Sequence, residues 1–271
     1  MDDYTRANRA VWNAWTEHHR DSDHHQDVER FRATGSSLRA IERAELGDVA
    51  GKTLLHLQCN MGCDTLSWAR RGAAVTGVDL ADAAIERARA LALEAGLAGR
   101  FIPSDLYELP SALDERFDIV FTSYGALCWM PDLARWAEIV ARYVKPGGEF
   151  YIVDMHPFGM LFESQHAYAT DTTFQVVAPY FHGAQPVAER AQNTGGAAGM
   201  VYAWHYGLGE VISALVDAGL QITFVHEFPM AHYQQFPVLV PREDGLWHWP
   251  EGSGNTMPLL FSILARNDGA R

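Results

Sequence analysis

Basic charge is scarce in this chain: 21 lysines and arginines stand against 34 aspartates and glutamates, a formal net charge of −13. With no basic stripe, the chain lacks the electrostatic footprint of a nucleic-acid binder, because a phosphate backbone would repel it. The same repulsion counts against anionic membrane surfaces. Cysteine is scarce too. Cys59, Cys63 and Cys128 are odd in number and sit in no disulfide-like frame. No second close pair accompanies Cys59 and Cys63, so a zinc knuckle is excluded, and the expectation is a reduced, cytoplasmic protein with no metal site. Long apolar runs are missing: none approaches the roughly 18 residues of a spanning helix. The opening MDDYTRANRAVWNAW lacks the basic-then-apolar pattern of a signal peptide. Internal repeats and low-complexity tracts are also absent.

Core-forming residues are plentiful. Hydrophobic side chains make up 48% of 271 residues, enough for one large α/β domain with insertions. Strand-like and helix-like segments alternate from KTLLHLQC through CDTLSWARRG, AAVTGVDL, ADAAIERARALALEAG, RFIPSDL, RFDIVFTSY and PDLARWAEIVARYV to EFYIVDMH. In the second helix Ile85, Ala88, Leu91 and Ala92 share a face. In the third, Leu133, Trp136, Ala137, Val140 and Val144 point inward. This alternation predicts a doubly wound, mostly parallel sheet covered by helices. The ending departs from a plain dinucleotide fold. After a helix over LGEVISALVDAGL, the strands QITFVHEF and PLLFSILARN follow with no helix between them, which predicts an antiparallel pair. About thirty residues join them, long for a hairpin connection.

Glycine is short where it matters most. The stretch TLLHLQCNMGCDT, Thr53 to Thr65, has the strand–loop–helix form in which backbone approaches a nucleotide. Its one glycine is Gly62; Gln58 and Asn60 fill the other small-residue slots. Asparagine tolerates left-handed backbone better than most residues, so Asn60 can replace a glycine in part. Gly62 permits close approach at the turn into the helix.

Taken in order, these segments resemble the class I S-adenosylmethionine-dependent methyltransferases. His56–Gly62 stands where that family has its first motif, D-L-G-C-G-x-G, with His56 replacing the leading acid and Gln58 and Asn60 replacing two glycines. Asp79 matches the acid at the tip of the second strand. Ser104-Asp105-Leu106 matches the site beside the adenine. FDIVFTSYGALCWMPD resembles the fourth motif, and YVKPGGEFYI, Tyr143 to Ile152, the turn into the fifth strand. The resemblance covers residues 50–155 and, more loosely, the last helix and strand pair. It implies a Rossmann-like fold, S-adenosyl-L-methionine as cofactor, and methyl transfer to an O or N atom of a small molecule. Two other readings stay open: a nicotinamide-dependent oxidoreductase, which would want more of G-x-G-x-x-G, and a non-catalytic S-adenosylmethionine-binding module.

On this reading residues 1–45 are an N-terminal helical lid and 46–271 the methyltransferase domain, with insertions at about 157–207 and 229–258 forming a substrate cap. The expected cofactor contacts are Gln58, Asn60, Gly62, Asp79, Leu80, Asp105, Leu106 and Tyr124. Asp79 would accept from the ribose hydroxyls; its other reading is a helix-capping aspartate. Asp105 would accept from the adenine amino group, or else be an exposed turn residue. Asp64 reads first as a helix cap. Trp204, His205, Tyr233 and Trp247 are the expected substrate contacts, because aromatic-rich insertions at strand ends suit apolar pockets. A general base would be a histidine, with His156 first, then His205 and His232. The run HHRDSDHH, His18 to His25, reads as a solvated surface segment.

Overall fold

The computed structural model describes residues 1–18, 23–162, 174–181, 185–191 and 199–269. Three helices come first: α1 (Asp3–His18), α2 (Asp23–Thr34) and α3 (Ala40–Leu46). The alternating region follows as β1 (Thr53–Leu57), α4 (Cys63–Arg70), β2 (Ala74–Asp79), α5 (Asp82–Ala95), β3 (Arg100–Pro103), β4 (Phe117–Ser123), α6 (Leu133–Tyr143) and β5 (Val144–Met155). Next are a hairpin, β6 (Val187–Arg190) and β7 (Met200–Ala203), then α7 (Leu208–Asp217) and β8 (Gln221–Phe228). Three two-residue strands, β9 (Met230–Ala231), β10 (Val240–Pro241) and β11 (Trp247–His248), precede β12 (Leu260–Arg266).

The main sheet has the order β3-β2-β1-β4-β5-β12-β8. Its first five strands pair in parallel. β12 runs antiparallel to both β5 and β8, so the final strand pair is as expected. β5 begins earlier than the sequence suggested, at Val144. Its pairing with β4 jumps from Phe117↔Val144 to Ile119↔Glu149, so the Lys-Pro-Gly-Gly turn is an irregularity inside the strand.

Strand side chains alternate between two cores, as a period of two requires. On β4 and β5, Ile119, Phe121, Tyr151 and Val153 enter a core with Leu38 and Ile41 of the α3 region and Trp68 of α4. Val120, Phe150 and Ile152 enter the opposite core, with Trp136 and Val140 of α6 and Leu215 of α7. α2, α4 and α5 share a third cluster around Phe31, Leu66, Ile85 and Phe101. Each fully buried large apolar side chain contributes about 1.5–3 kcal/mol.

α1 is fixed by side chains that finish other elements. α5 starts at Ala81, which has no side chain to cap it, and Asn13 Oδ1 instead accepts from Ala83 N at 3.0 Å. Arg9 pairs with Asp82 at 2.6 Å. Asn8 bonds both backbone groups of Tyr202 on β7, donating to the carbonyl at 2.8 Å and accepting from the amide at 2.9 Å. The long connection before β12 folds into the small sheet β10-β11-β9. Its Phe236, Leu239 and Trp249 form an apolar cluster with Phe162 and Phe174 of the earlier insertion.

Candidate active site

A cavity of about 380 Å³ opens at the carboxyl ends of β1 to β5, where open α/β sheets receive ligands. Each strand delivers residues to it: Gln58 and Asn60 after β1, Asp79 from β2, Asp105 and Leu106 after β3, Ser123 and Tyr124 at β4, Met155 from β5. Thr5, Asn8 and Trp12 of α1 line it from the far side, with Trp129 and Pro131 beside them.

The loop after β1 adopts glycine-like backbone without glycines. Gln58 has φ +59° and Asn60 φ +48°, conformations that cost L residues energy and gather at functional sites. The loop is held open by its neighbours. Asp79 Oδ2 accepts from Asn60 N at 2.8 Å and its Oδ1 from Ala81 N at 2.9 Å. Burial raises the Asp79 pKa; the backbone donors oppose that shift. Gln58 Nε2 donates to Ala126 O at 2.6 Å, which leaves its buried Oε1 without a protein partner.

The tip of β4 is equally constrained. Tyr124 (φ +36°) and Gly125 (φ +80°) are successive left-handed residues. Beneath them the buried Asp154 carboxylate accepts from the amides of Gly125, Ala126, Leu127 and Met155, the last at 2.7 Å. The Tyr124 hydroxyl donates to Glu42 Oε2 at 2.7 Å, and the Arg39 guanidinium lies 4.9 Å from the Tyr124 ring centre. Glu42 is fully buried, and burial followed by the nearby Asp64 charge raises its pKa.

A second polar chain runs under the loop. His56 Nδ1 lies 2.8 Å from Thr65 Oγ1 and its Nε2 3.3 Å from Ser123 Oγ. Ser123 donates to Asp64 Oδ2 at 3.0 Å, so the bond is shared correctly only if His56 Nε2 carries the proton. Ser37 donates to Asp64 Oδ1 at 2.5 Å. Burial lowers the His56 pKa to about 4, keeping the imidazole neutral at pH 7. Asp64 therefore does not cap α4, as its sequence position suggested; its carboxylate faces the cavity between two serines.

The expected cofactor residues Gln58, Asn60, Asp79, Leu80, Asp105, Leu106 and Tyr124 all line the cavity. Asp105 is 7% exposed, and its carboxylate also closes a turn by accepting from Tyr107 N at 2.9 Å. Gly62 lies elsewhere. It has φ +74°, and a Cβ there would stand 2.8 Å from both Ala88 and Phe101. Its glycine is needed to seat α4 against α5 and β3, on the side away from the cavity.

The substrate expectations divide. Tyr233 lines the main cavity. Trp204 and His205 line a neighbouring recess of about 50 Å³ that shares Cys128 and Met155 with it. Trp247 lines neither and packs against the Phe236–Trp249 cluster. His156 is also displaced from its expected role. It is buried outside the cavity, with Nδ1 accepting from Phe158 N at 3.0 Å and Nε2 2.8 Å from Glu227. Burial lowers its pKa, against the pull of Glu227. Of the three candidate bases, the one that lines this cavity is His232, its ring 4.8 Å from that of Tyr124. Arg39, Asp27, Asn8 and Trp129 line the cavity without having been singled out in the sequence. Arg39, Asp27 and Asn8 belong to no local motif, and Trp129 lies near the end of the segment that resembles the fourth motif.

The side chains of the whole run His18 to His25 lie outside those described. Among the described residues no group of histidine, cysteine and acidic side chains could hold a metal ion, and no helix is long and apolar enough to cross a membrane.

Comparison with known proteins agrees with this fold. Residues 54–148 match the family described as methyltransferase domain. The chain is 35% identical over 127 residues to a ubiquinone biosynthesis O-methyltransferase of Saccharophagus degradans, covering 46% of this chain and 53% of that protein. It is 37% identical over 119 residues to its counterpart in Alkalilimnicola ehrlichii, covering 43% and 48%. The chain thus spans about half the length of the curated relatives it matches. Among solved structures, an S-adenosylmethionine-dependent methyltransferase of Mesorhizobium loti superposes with a TM-score of 0.58 at 24% identity, over 83% of this chain and 95% of that one. Magnesium protoporphyrin IX methyltransferase of Synechocystis gives 0.56 at 14% identity, over 97% and 100%. Residues 54–148 thus match a methyltransferase domain, and the chain has the Rossmann-like fold of these solved structures.

Proposed function

We propose that the protein transfers a methyl group from S-adenosylmethionine to an oxygen or nitrogen atom of a small molecule. The observation that carries this reading is the charge and shape of the cavity floor. Asp79 presents a carboxylate at the tip of β2, beside a loop whose backbone is held left-handed. Among the described lining residues Arg39 faces four aspartates, Asp27, Asp64, Asp79 and Asp105. Such a surface favours a cationic ligand, and the buried, unpartnered Oε1 of Gln58 supplies an acceptor for it.

The order of strands gives the residues their parts. Asp105 and Leu106 would hold the adenine, Asp79 the ribose hydroxyls, and the Gln58–Asn60 loop the other end. Bound there, S-adenosylmethionine supplies a methyl group made electrophilic by a positively charged sulfur. Trp12, Trp129 and Pro131 exclude water from the acceptor side, and α1 with the rest of residues 1–45 acts as a lid. Holding the acceptor atom in line is the main catalytic task. Where the acceptor must lose a proton, His232 is the histidine placed to take it. The names of the curated relatives support an oxygen acceptor.

Calorimetric titration with S-adenosylmethionine, S-adenosylhomocysteine and NAD tests the cofactor. Incubation with methyl-labelled S-adenosylmethionine and a panel of small phenols and amines tests turnover. Binding of NAD in preference to the two sulfur compounds would sink the reading. Tight S-adenosylmethionine binding with no label transferred to any phenol or amine would leave a cofactor-binding module.

A further inference from the structure

The recess of about 50 Å³ beside the main cavity has a lining of its own. Val211 of α7, Phe261 of β12 and Trp204 after β7 are each no more than 5% exposed, and half-buried Leu161 joins them. The polar groups around it are already engaged. The Asp154 carboxylate takes the four amides at the β4 tip and Met155. The Tyr180 hydroxyl accepts from Leu208 N at 3.2 Å, and the Tyr206 hydroxyl donates to Met130 O at 2.6 Å. His205 too has a partner. A polar group entering here would give up water for groups already in use, whereas an apolar group gains by leaving water. Cys128 and Met155 line both the recess and the main cavity, and each is partly exposed. This partition is thin and soft, since cysteine is small and the unbranched methionine chain repacks readily. The Met155 methyl carbon lies 3.9 Å from where a Cβ on Gly125 would stand, so the partition begins at the β4 tip.

We propose that the recess is a subsite for a short apolar substituent of the methyl acceptor, entered past Cys128 and Met155, and that it selects acceptors by the length of that substituent. This rests on the methyl-transfer reading above and adds an acceptor class to it: a small molecule bearing a compact alkyl group. The volume sets the limit. A water takes roughly 10–15 Å³ of such a space, so the recess holds an alkyl group of about three to four carbons. A longer chain would press on Val211 and Phe261, which the α6–α7 core holds in place.

Calorimetry of phenol and the 4-alkylphenols from methyl to n-hexyl, on protein saturated with S-adenosylhomocysteine, tests the subsite without needing turnover. Affinity should rise about fourfold with each carbon as far as propyl or butyl, the worth of a buried CH₂ group, and should rise no further at hexyl. Leu161→Trp, which fills the recess, should remove the gain from alkyl length and leave phenol itself within about twofold. Val211→Ala, which deepens the recess, should move the optimum to a longer chain. Neither change should alter S-adenosylhomocysteine affinity, and thermal denaturation checks that each variant is folded. If Leu161→Trp does not fold, Val211→Ala decides by its own criterion. Equal affinity for every phenol in wild type, or no binding of any of them, would overturn the proposal. So would a length gain that survives in folded Leu161→Trp, or an unshifted optimum in folded Val211→Ala. Failure of the methyl-transfer reading looks different: S-adenosylhomocysteine itself would not bind, and the subsite would fall with it.

Discussion

The two walls of the cavity are built on different principles. The wall that we propose receives the cofactor comes from residues that directly follow parallel strands: Gln58 and Asn60, Asp79, Asp105 and Leu106. Each is placed by one strand end, and the strands are locked to one another by their register. The opposite wall, proposed to face the acceptor, is assembled from Thr5, Asn8 and Trp12 of α1, Cys128 and Trp129 beyond β4, and His232 and Tyr233 beyond β9. Side-chain contacts hold these segments together, such as Asn8 on the Tyr202 backbone and Trp12 with Trp129, whose rings lie 5.3 Å apart. The proposed cofactor contacts thus sit on the rigid sheet, and the proposed acceptor contacts on added segments.

The sharpest way to break this contrast is through the region behind the acceptor wall. Trp249 is 8% exposed in the cluster with Phe236 and Leu239. Trp249→Ala should cost about 3–5 kcal/mol of stability, read by thermal denaturation. S-adenosylhomocysteine affinity of the folded fraction should stay unchanged; a large loss of affinity would mean that the two walls are not independent.

Acid should strike the floor they share. Folded His56 titrates near 4 and unfolded histidine near 6.5. Between those values the unfolded state binds the extra proton, so stability falls as pH is lowered, by about 3 kcal/mol across the window. His56→Gln should flatten that part of the pH–stability profile. A profile identical to wild type would remove His56 as its cause.

Gly62→Val separates folding from binding on the cofactor side. A β-branched residue at φ +74° with its Cβ 2.8 Å from Ala88 and Phe101 should destabilise by about 2–3 kcal/mol. Loss of cofactor affinity at full stability would return Gly62 to the ligand surface.

Asp79→Ala should weaken S-adenosylmethionine by about 1.5–3 kcal/mol for each charged hydrogen bond lost. The Asp79 pKa is raised, so in wild type affinity should begin to fall on acidification at a higher pH than an ordinary carboxylate would give. Wild-type affinity in Asp79→Ala would dismantle the cofactor wall as drawn here.

The smallest effect is expected at His156. His156→Gln should leave methyl transfer per folded molecule within about twofold, since its ring nitrogens serve Phe158 and Glu227. A hundredfold fall in turnover with stability intact would restore it as a base.

The contrast also explains what could be read from the chain. Strands and helices from Thr53 to Met155 were legible because hydrophobic period and capping are local, and the proposed cofactor residues follow those strands by fixed offsets. Asn60 was readable as a glycine substitute for the same reason; Gln58, also left-handed, was not, because nothing in glutamine favours that backbone. On the other wall, residue type pointed to segments of which only some members reach the cavity. Trp247 and Tyr233 lie in the same connection, yet only Tyr233 reaches the cavity. Among the three histidine candidates, His156 looked best placed because it follows β5, yet it is His232 that lines the cavity. Sequence by itself determined the sheet, its antiparallel last pair and the row of strand-tip acids, since these depend on interactions between near neighbours or on alternation along a strand. Tertiary structure alone decided that Arg39 meets Tyr124 and His232, that Asp64 turns from cap to cavity, and that Gly62 serves packing, because each depends on which distant backbone arrives within a few ångströms.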